Sequence, residues 1–105
     1  MRRFTEADNG QRAQIAAGES FEMSLPENPA TGFHWKVISG GEPVCSLTND
    51  RFEPASGVGG QGIHHWRFRA REPGTGEIHF ALQRSWESPV ASGRSVTLKF
   101  RVTPA

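Results

Sequence analysis

The sequence predicts an all-β chain: an immunoglobulin-like β-sandwich of about seven strands with no disulfide. Three observations predict it. Apolar residues alternate with polar ones in short runs, as in Phe21-Met23-Leu25, Ile78-Phe80-Leu82 and Val96-Leu98-Phe100-Val102. Turn clusters rich in glycine and proline separate these runs at spacings of about 8–12 residues. No segment sustains the 3.6-residue period of an amphipathic helix. Cys45 is the single cysteine, so the Cys…Trp…Cys framework of antibody domains is absent. A small barrel is the alternative closure.

Residues 1–11 are polar, end in Asn9-Gly10 and are expected to form a flexible N-terminal arm. Residues 12–105 then make one sandwich domain. Ala13, Ile15 and Ala17 alternate weakly up to Gly18. Phe21, Met23 and Leu25 follow, half-buried against Ser20, Glu22 and Ser24. The stretch Leu25 to Trp35 interrupts this alternation with Pro26, Pro29 and Gly32. Each proline pins its own φ and restricts the residue before it, while Gly32 is free to adopt positive φ. The stretch is therefore a stiff loop with a small tip, Ala30-Thr31.

Phe33, Trp35 and Val37 resume the inward pattern, with His34 and Lys36 outward. Val44 to Thr48 is expected as a short strand ended by a turn at Asn49-Asp50, with Phe52 reaching back to the core. Ala55 to Gly62 carries four glycines among its last six residues. Next, His64, Trp66, Phe68 and Ala70 share one strand face, and His65, Arg67, Arg69 and Arg71 the other. Gln83 to Arg94 forms a further loop containing Trp86. Val96 to Val102 closes the chain.

A chain of 105 residues with 35% hydrophobic and 22% charged residues is one folded domain. Its net charge of +1 points to neither nucleic acid nor a membrane surface. The start of the chain has no apolar core of a signal peptide, so a cytoplasmic location is expected, or a periplasmic or secreted one for a trimmed form. Cys45, flanked by Val44 and Leu47, is expected as a buried structural thiol.

Strand counting brings three loops together. Two strands separate loop 26–32 from loop 54–62, and two more separate that from loop 83–94. In a sandwich, loops two strands apart open at the same end. Enzyme chemistry is not expected, since neither a Ser-His-Asp nor a Cys-His arrangement emerges. The four histidines do not have zinc spacing: His64 and His65 point to opposite faces, and His34 and His79 lie on separate strands. No metal and no cofactor is expected. Trp86 lies outside the core register held by Trp35 and Trp66. It either covers the end of the sandwich or, with Arg84, anchors a partner.

Asn28-Pro29-Ala30-Thr31-Gly32-Phe33-His34-Trp35, Gly57-Val58-Gly59-Gly60 and Arg84-Ser85-Trp86-Glu87 resemble, in order, the three motifs of the chagasin-like inhibitors of cysteine peptidases (inhibitor family I42): NP-T-TG-Y/F-x-W, G-x-G-G and R-P-W. The likeness runs from about Gly18 to Val102. It implies a monomeric, reversible, non-covalent inhibitor that presses three loops along the cleft of a papain-like cysteine peptidase, such as a cathepsin L-like enzyme. The peptidase-binding residues it implies are Asn28, Pro29, Ala30, Thr31, Gly32, Phe33, Gly57, Val58, Gly59, Gly60, Arg84 and Trp86. Thr31 would approach the catalytic Cys-His pair of the target, and Trp86 would stack on aromatic residues beside the cleft. Ala30 replaces the first threonine of the family motif. Ser85 replaces the proline of R-P-W, which loosens the Trp86 loop at a cost on the order of 1 kcal/mol and implies weaker or differently selective inhibition. The alternative is an immunoglobulin-like module that uses the same loops to bind a glycan or another protein.

Overall fold

The computed structural model describes residues 1–55, 61–84 and 94–104. Within them the chain forms strands β1 (Arg2–Phe4), β2 (Arg12–Ala16), β3 (Ser20–Glu27), β4 (Phe33–Gly40), β5 (Cys45–Pro54), β6 (Gly62–Ala70), β7 (Gly74–Arg84) and β8 (Arg94–Thr103). They build two four-stranded sheets, one in the order β1-β3-β6-β5 and the other β2-β8-β7-β4. Pairing is antiparallel except for β1 with β3 and β2 with β8, which are parallel. The predicted all-β sandwich is the observed architecture, with eight strands where about seven were expected.

The period-two pattern explains the layers. Phe21, Met23 and Leu25 of β3 and Trp66, Phe68 and Ala70 of β6 face Ile78 and Phe80 of β7 and Val96, Leu98, Phe100 and Val102 of β8, all buried. Aromatic contacts tie the sheets together. Phe21 stacks on Phe68 within its own sheet at 5.5 Å and meets Phe100 of the opposite sheet at 6.0 Å. Trp66 meets Phe80 across the sandwich at 4.8 Å. Such pairs add about 0.5–1.5 kcal/mol each beyond the burial of their area. They also fix the spacing of the sheets.

The N-terminal residues correct one expectation. They do not form a free arm. Arg2, Arg3 and Phe4 pair with Phe21, Glu22 and Met23, and Phe4 is buried edge-on against Phe21. A 3-10 turn, Glu6–Asp8, follows, capped reciprocally by Thr5 and Asp8. Asn9 and Gly10 then bond to both backbone groups of Thr97 in β8. A polar composition hid this, because the segment supplies one core side chain, Phe4, and otherwise docks through backbone pairing and the Asn9 side chain.

The second correction concerns β5. It runs unbroken from Cys45 to Pro54, and Asn49 and Asp50 do not turn the chain but pair with Arg67 and Trp66. A register shift between Leu47 and Asn49 leaves Thr48 as the extra residue, and its hydroxyl donates to the Arg67 carbonyl at 3.1 Å. A bulge absorbs a poor strand sequence when the neighbouring strand supplies the ladder. Phe52 is half-buried edge-on against the His64 ring rather than in the core.

The solvent face of the first sheet also departs from simple alternation. Glu22 and His65 point away from the core and are nevertheless buried. His65 bonds Ser24 Oγ at 2.8 Å and Glu53 at 2.8 Å, and lies 3.3 Å from Glu22. Neighbouring polar side chains cover one another there. Cys45 is buried as expected, bonded to the Gly40 carbonyl. Burial, with Glu42 nearby, pushes its thiol up to about 12. The reactive thiolate is therefore scarce in the native protein at neutral pH.

Two measurements follow from this packing. Phe4→Ala should cost about 3 kcal/mol in urea-induced unfolding, whereas a free arm would leave the midpoint unchanged. Cys45 should resist an aromatic disulfide reagent at pH 8 and react stoichiometrically once guanidinium unfolds the chain.

Candidate functional site

The strand registers define one end of the sandwich. In the first sheet Glu27 and Pro54 both lie opposite Gly62. In the second, Phe33 lies opposite Arg84 and Leu82 opposite Arg94. The strands flanking segments 28–32, 55–61 and 85–93 therefore all end at the same edge, as strand counting requires. Of the residues singled out in the sequence, Asn28, Ala30, Thr31, Gly32, Phe33 and Arg84 are placed at this edge, with Pro29 in the same turn. Gly57, Val58, Gly59, Gly60 and Trp86 lie outside the described residues.

The 28–32 segment is a 3-10 turn over Pro29–Thr31 that bonds to itself. The Asn28 side chain accepts the Ala30 N–H at 3.1 Å. The Asn28 carbonyl accepts both the Thr31 N–H at 3.1 Å and the Thr31 hydroxyl at 2.8 Å. The same hydroxyl oxygen accepts the Phe33 N–H at 3.4 Å. Gly32 has φ +84°, where a side chain would be strained, so the turn reverses there into β4. Ala30 and Thr31 remain exposed at the tip. The Thr31 hydroxyl proton is thus engaged inside the loop, and Thr31 shapes the turn as well as standing at its tip.

Beneath the turn the chain changes sheets. Trp35, at the open edge of the second sheet, donates its backbone N–H to Glu27 Oε1 at 2.9 Å. Its indole N–H donates to the Pro26 carbonyl at 2.8 Å. Glu27 is buried and also meets the His64 ring, with Nδ1 3.0 Å from Oε2. Nε2 of His64 meets the Asp50 carboxylate. The His64 ring lies flat on Trp66, 4.0 Å away and within 4° of parallel. Gly62, where β6 begins, lets β5 pass close beside it: a Cβ there would fall 2.4 Å from the Glu53 carbonyl oxygen.

Arg84 joins two of the motifs. Its guanidinium sits over the Phe33 ring at 4.5 Å, a cation–π contact worth about 0.5–1 kcal/mol at an exposed site. The end of β7 is thereby tied to the exit of the 28–32 turn. Pro26, Asn28, Thr31, Phe33, Ile63 and Leu82 line a shallow cleft beside it. Sequence reasoning missed Glu27, His64 and Asp50. The available signal was an imidazole in the core register of β6, since an inward histidine requires a buried partner. Among the described residues no three His, Cys, Asp or Glu side chains converge as a metal site.

The fold is a two-sheet sandwich with a self-bonded turn at the edge where the strands flanking segments 55–61 and 85–93 also end. Residues 14–102 match the family model described as "Chagasin family peptidase inhibitor I42", and the chain belongs to the chagasin family of peptidase inhibitors. It is 32% identical over 93 residues to chagasin of Trypanosoma cruzi, covering 83% of this chain and 84% of that protein. It is 35% identical over 102 residues to Amoebiasin-1 of Entamoeba histolytica, covering 94% and 97% respectively. The crystal structure of the cysteine protease inhibitor EhICP2 from Entamoeba histolytica shares the fold. Its TM-score is 0.85 at 23% identity, over 97% of this chain and 95% of that one.

The turn's internal bonding makes the hydroxyl of Thr31 testable apart from its size. Thr31→Val should speed hydrogen exchange of the Phe33 amide by about fivefold, the equivalent of one lost hydrogen bond of about 1 kcal/mol. Thr31→Ser should leave that exchange near the parent rate. Equal rates in all three proteins would show that the hydroxyl does not hold the turn.

Proposed function

We propose that this protein is a reversible, non-covalent inhibitor of papain-like cysteine peptidases, and that it occludes their active-site cleft with segments 26–32, 54–62 and 83–94. Family membership supplies the class of target. The observation that carries the mechanism is the self-bonded Asn28–Thr31 turn at the edge where the flanking strands of all three segments end.

A substrate enters a peptidase cleft as an extended strand that offers a scissile carbonyl in line with the nucleophile. The 28–32 segment is a 3-10 turn instead, and the Asn28 carbonyl is occupied by two donors from Thr31. Such a turn fills a cleft without offering a cleavable geometry. Because it is bonded within itself, little ordering entropy is lost on docking. The Arg84–Phe33 contact ties that turn to the end of β7. Family likeness assigns Gly57 to Gly60 to backbone contacts along one side of the cleft and Trp86 to an aromatic anchor on the other. Three segments together can supply the roughly 1,600 Å² typical of a protease–inhibitor interface. The protein contributes no catalytic chemistry of its own to this process.

Titration of active papain should give a one-to-one inhibition endpoint, with activity recovered on dilution. Trp86→Ala should weaken binding by about 2 kcal/mol, some 30-fold, as expected of a central aromatic anchor. Thr31→Ala should weaken it less. Ser85→Pro should tighten binding several-fold if order in that segment limits affinity. Full papain activity at micromolar protein would refute the proposal.

A further inference from the structure

Directly under the 28–32 turn lies a cluster of three ionisable side chains, Glu27, His64 and Asp50. The Glu27 side chain is almost closed to solvent, at 3% exposure, and His64 is nearly so at 16%. Nδ1 of His64 lies 3.0 Å from Glu27 Oε2 and 3.2 Å from Oε1. Nε2, on the far side of the ring, meets the Asp50 carboxylate. The ring is held flat by Trp66 and flanked edge-on by Phe52, so it cannot swing away without losing both contacts. Among the described residues the charged groups facing it are Glu27 from β3 and Asp50 from β5. His65, next in β6, faces the opposite side of the sheet toward Glu22 and Glu53.

Donor accounting separates the two states of this cluster. Ionised carboxylates only accept hydrogen bonds, and a neutral imidazole carries one N–H. A ring with a carboxylate at each nitrogen is fully satisfied only as an imidazolium, which donates at both. In the neutral form one carboxylate loses its imidazole donor, and Glu27 keeps the Trp35 N–H in either form.

We propose that His64 is a positioning residue for the 28–32 turn: as an imidazolium it draws Glu27 and Asp50 together, fixes the Glu27 carboxylate beneath the Trp35 N–H, and makes the shape of the turn, and its grip on a peptidase, depend on acidity. Only the last clause rests on the inhibitor reading above. Protonation adds the donor that the second carboxylate lacks. The cluster is therefore complete where histidine is charged and the carboxylates are ionised. It loosens once the imidazole becomes neutral at higher pH, because one of its two donors is then gone.

Asp50→Asn separates this from a merely structural role. An asparagine amide can donate to a neutral Nε2, or accept from a charged one, so the cluster is satisfied in either state. His64→Gln, neutral throughout, is the second variant. Inhibition constants of the three proteins against one papain preparation, from pH 5 to 8, cancel the enzyme's own pH dependence when taken as ratios. The parent should weaken relative to Asp50→Asn by about fivefold across this range, the worth of one hydrogen bond. His64→Gln should be flat against Asp50→Asn. Without any peptidase, the Trp35 amide resonance of the parent should shift with the same midpoint as the His64 ring protons. A Trp35 amide that stays still while His64 titrates overturns the proposal. Parallel inhibition profiles overturn the link to acidity. Absence of inhibition at every pH by all three proteins refutes the inhibitor reading and the acidity-dependent grip with it, and the Trp35 resonance then decides the positioning role by itself.

Discussion

Between Glu27 and Phe33 the chain leaves one sheet and enters the other, and the way that crossing satisfies its polar groups organises the whole end of the molecule. Among the described strands β4 is an edge strand, paired only with β7. The Trp35 N–H on its open side has no neighbouring strand to accept it. A buried amide without a partner costs about 1–3 kcal/mol. Glu27, the last residue of β3, places a carboxylate where a strand carbonyl would otherwise be. The Pro26 carbonyl, left at the end of its own ladder, takes the indole N–H of the same tryptophan. The two ends of the 28–32 segment are thus clamped to each other by side chains, and the turn between them is short enough to close its remaining bonds on itself.

The clamp works because its surroundings do not yield. Glu27 is buried, and a buried carboxylate needs a donor or a positive charge beside it. His64 provides this from the first full residue of the β6 core register, where its ring continues the aromatic stack of Trp66 and Phe80. The same aromatic layer that sets the distance between the sheets therefore also sets the position of the imidazole, and through it the carboxylate under the turn. Arg84 reaches across from β7 to Phe33 on the other side. Rigid strands thus present the turn in one geometry, the arrangement by which scaffolds carry binding loops.

The two adjacent histidines show how one residue type serves opposite faces. His64 lies on the core side and joins strands through Glu27 and Asp50. His65 lies on the solvent side and joins them through Glu22, Ser24 and Glu53. Neither reading follows from the pair His64-His65 in isolation. Each depends on which carboxylates the neighbouring strands bring opposite it, a matter of register across residues some 12 to 41 positions apart.

Local order in the sequence was enough for the sandwich, for the inward faces of β3, β6, β7 and β8, and for the stiff turn at Asn28–Gly32, because period-two burial and the backbone limits of proline and glycine act within a few residues. The common edge of the three connecting segments was also legible, since strand parity alone fixes it. The tertiary structure decided what depends on distant partners. It docked residues 1–11 through backbone pairing, the buried Phe4 ring and the Asn9 side chain, none of which a polar composition advertises. It carried β5 through Asn49 and Asp50 because β6 supplied the ladder. It turned the Thr31 hydroxyl inward, onto Asn28. Above all, it made Glu27 and His64 a unit, for a carboxylate and an imidazole 37 residues apart acquire their roles only when two strands bring them within hydrogen-bond distance.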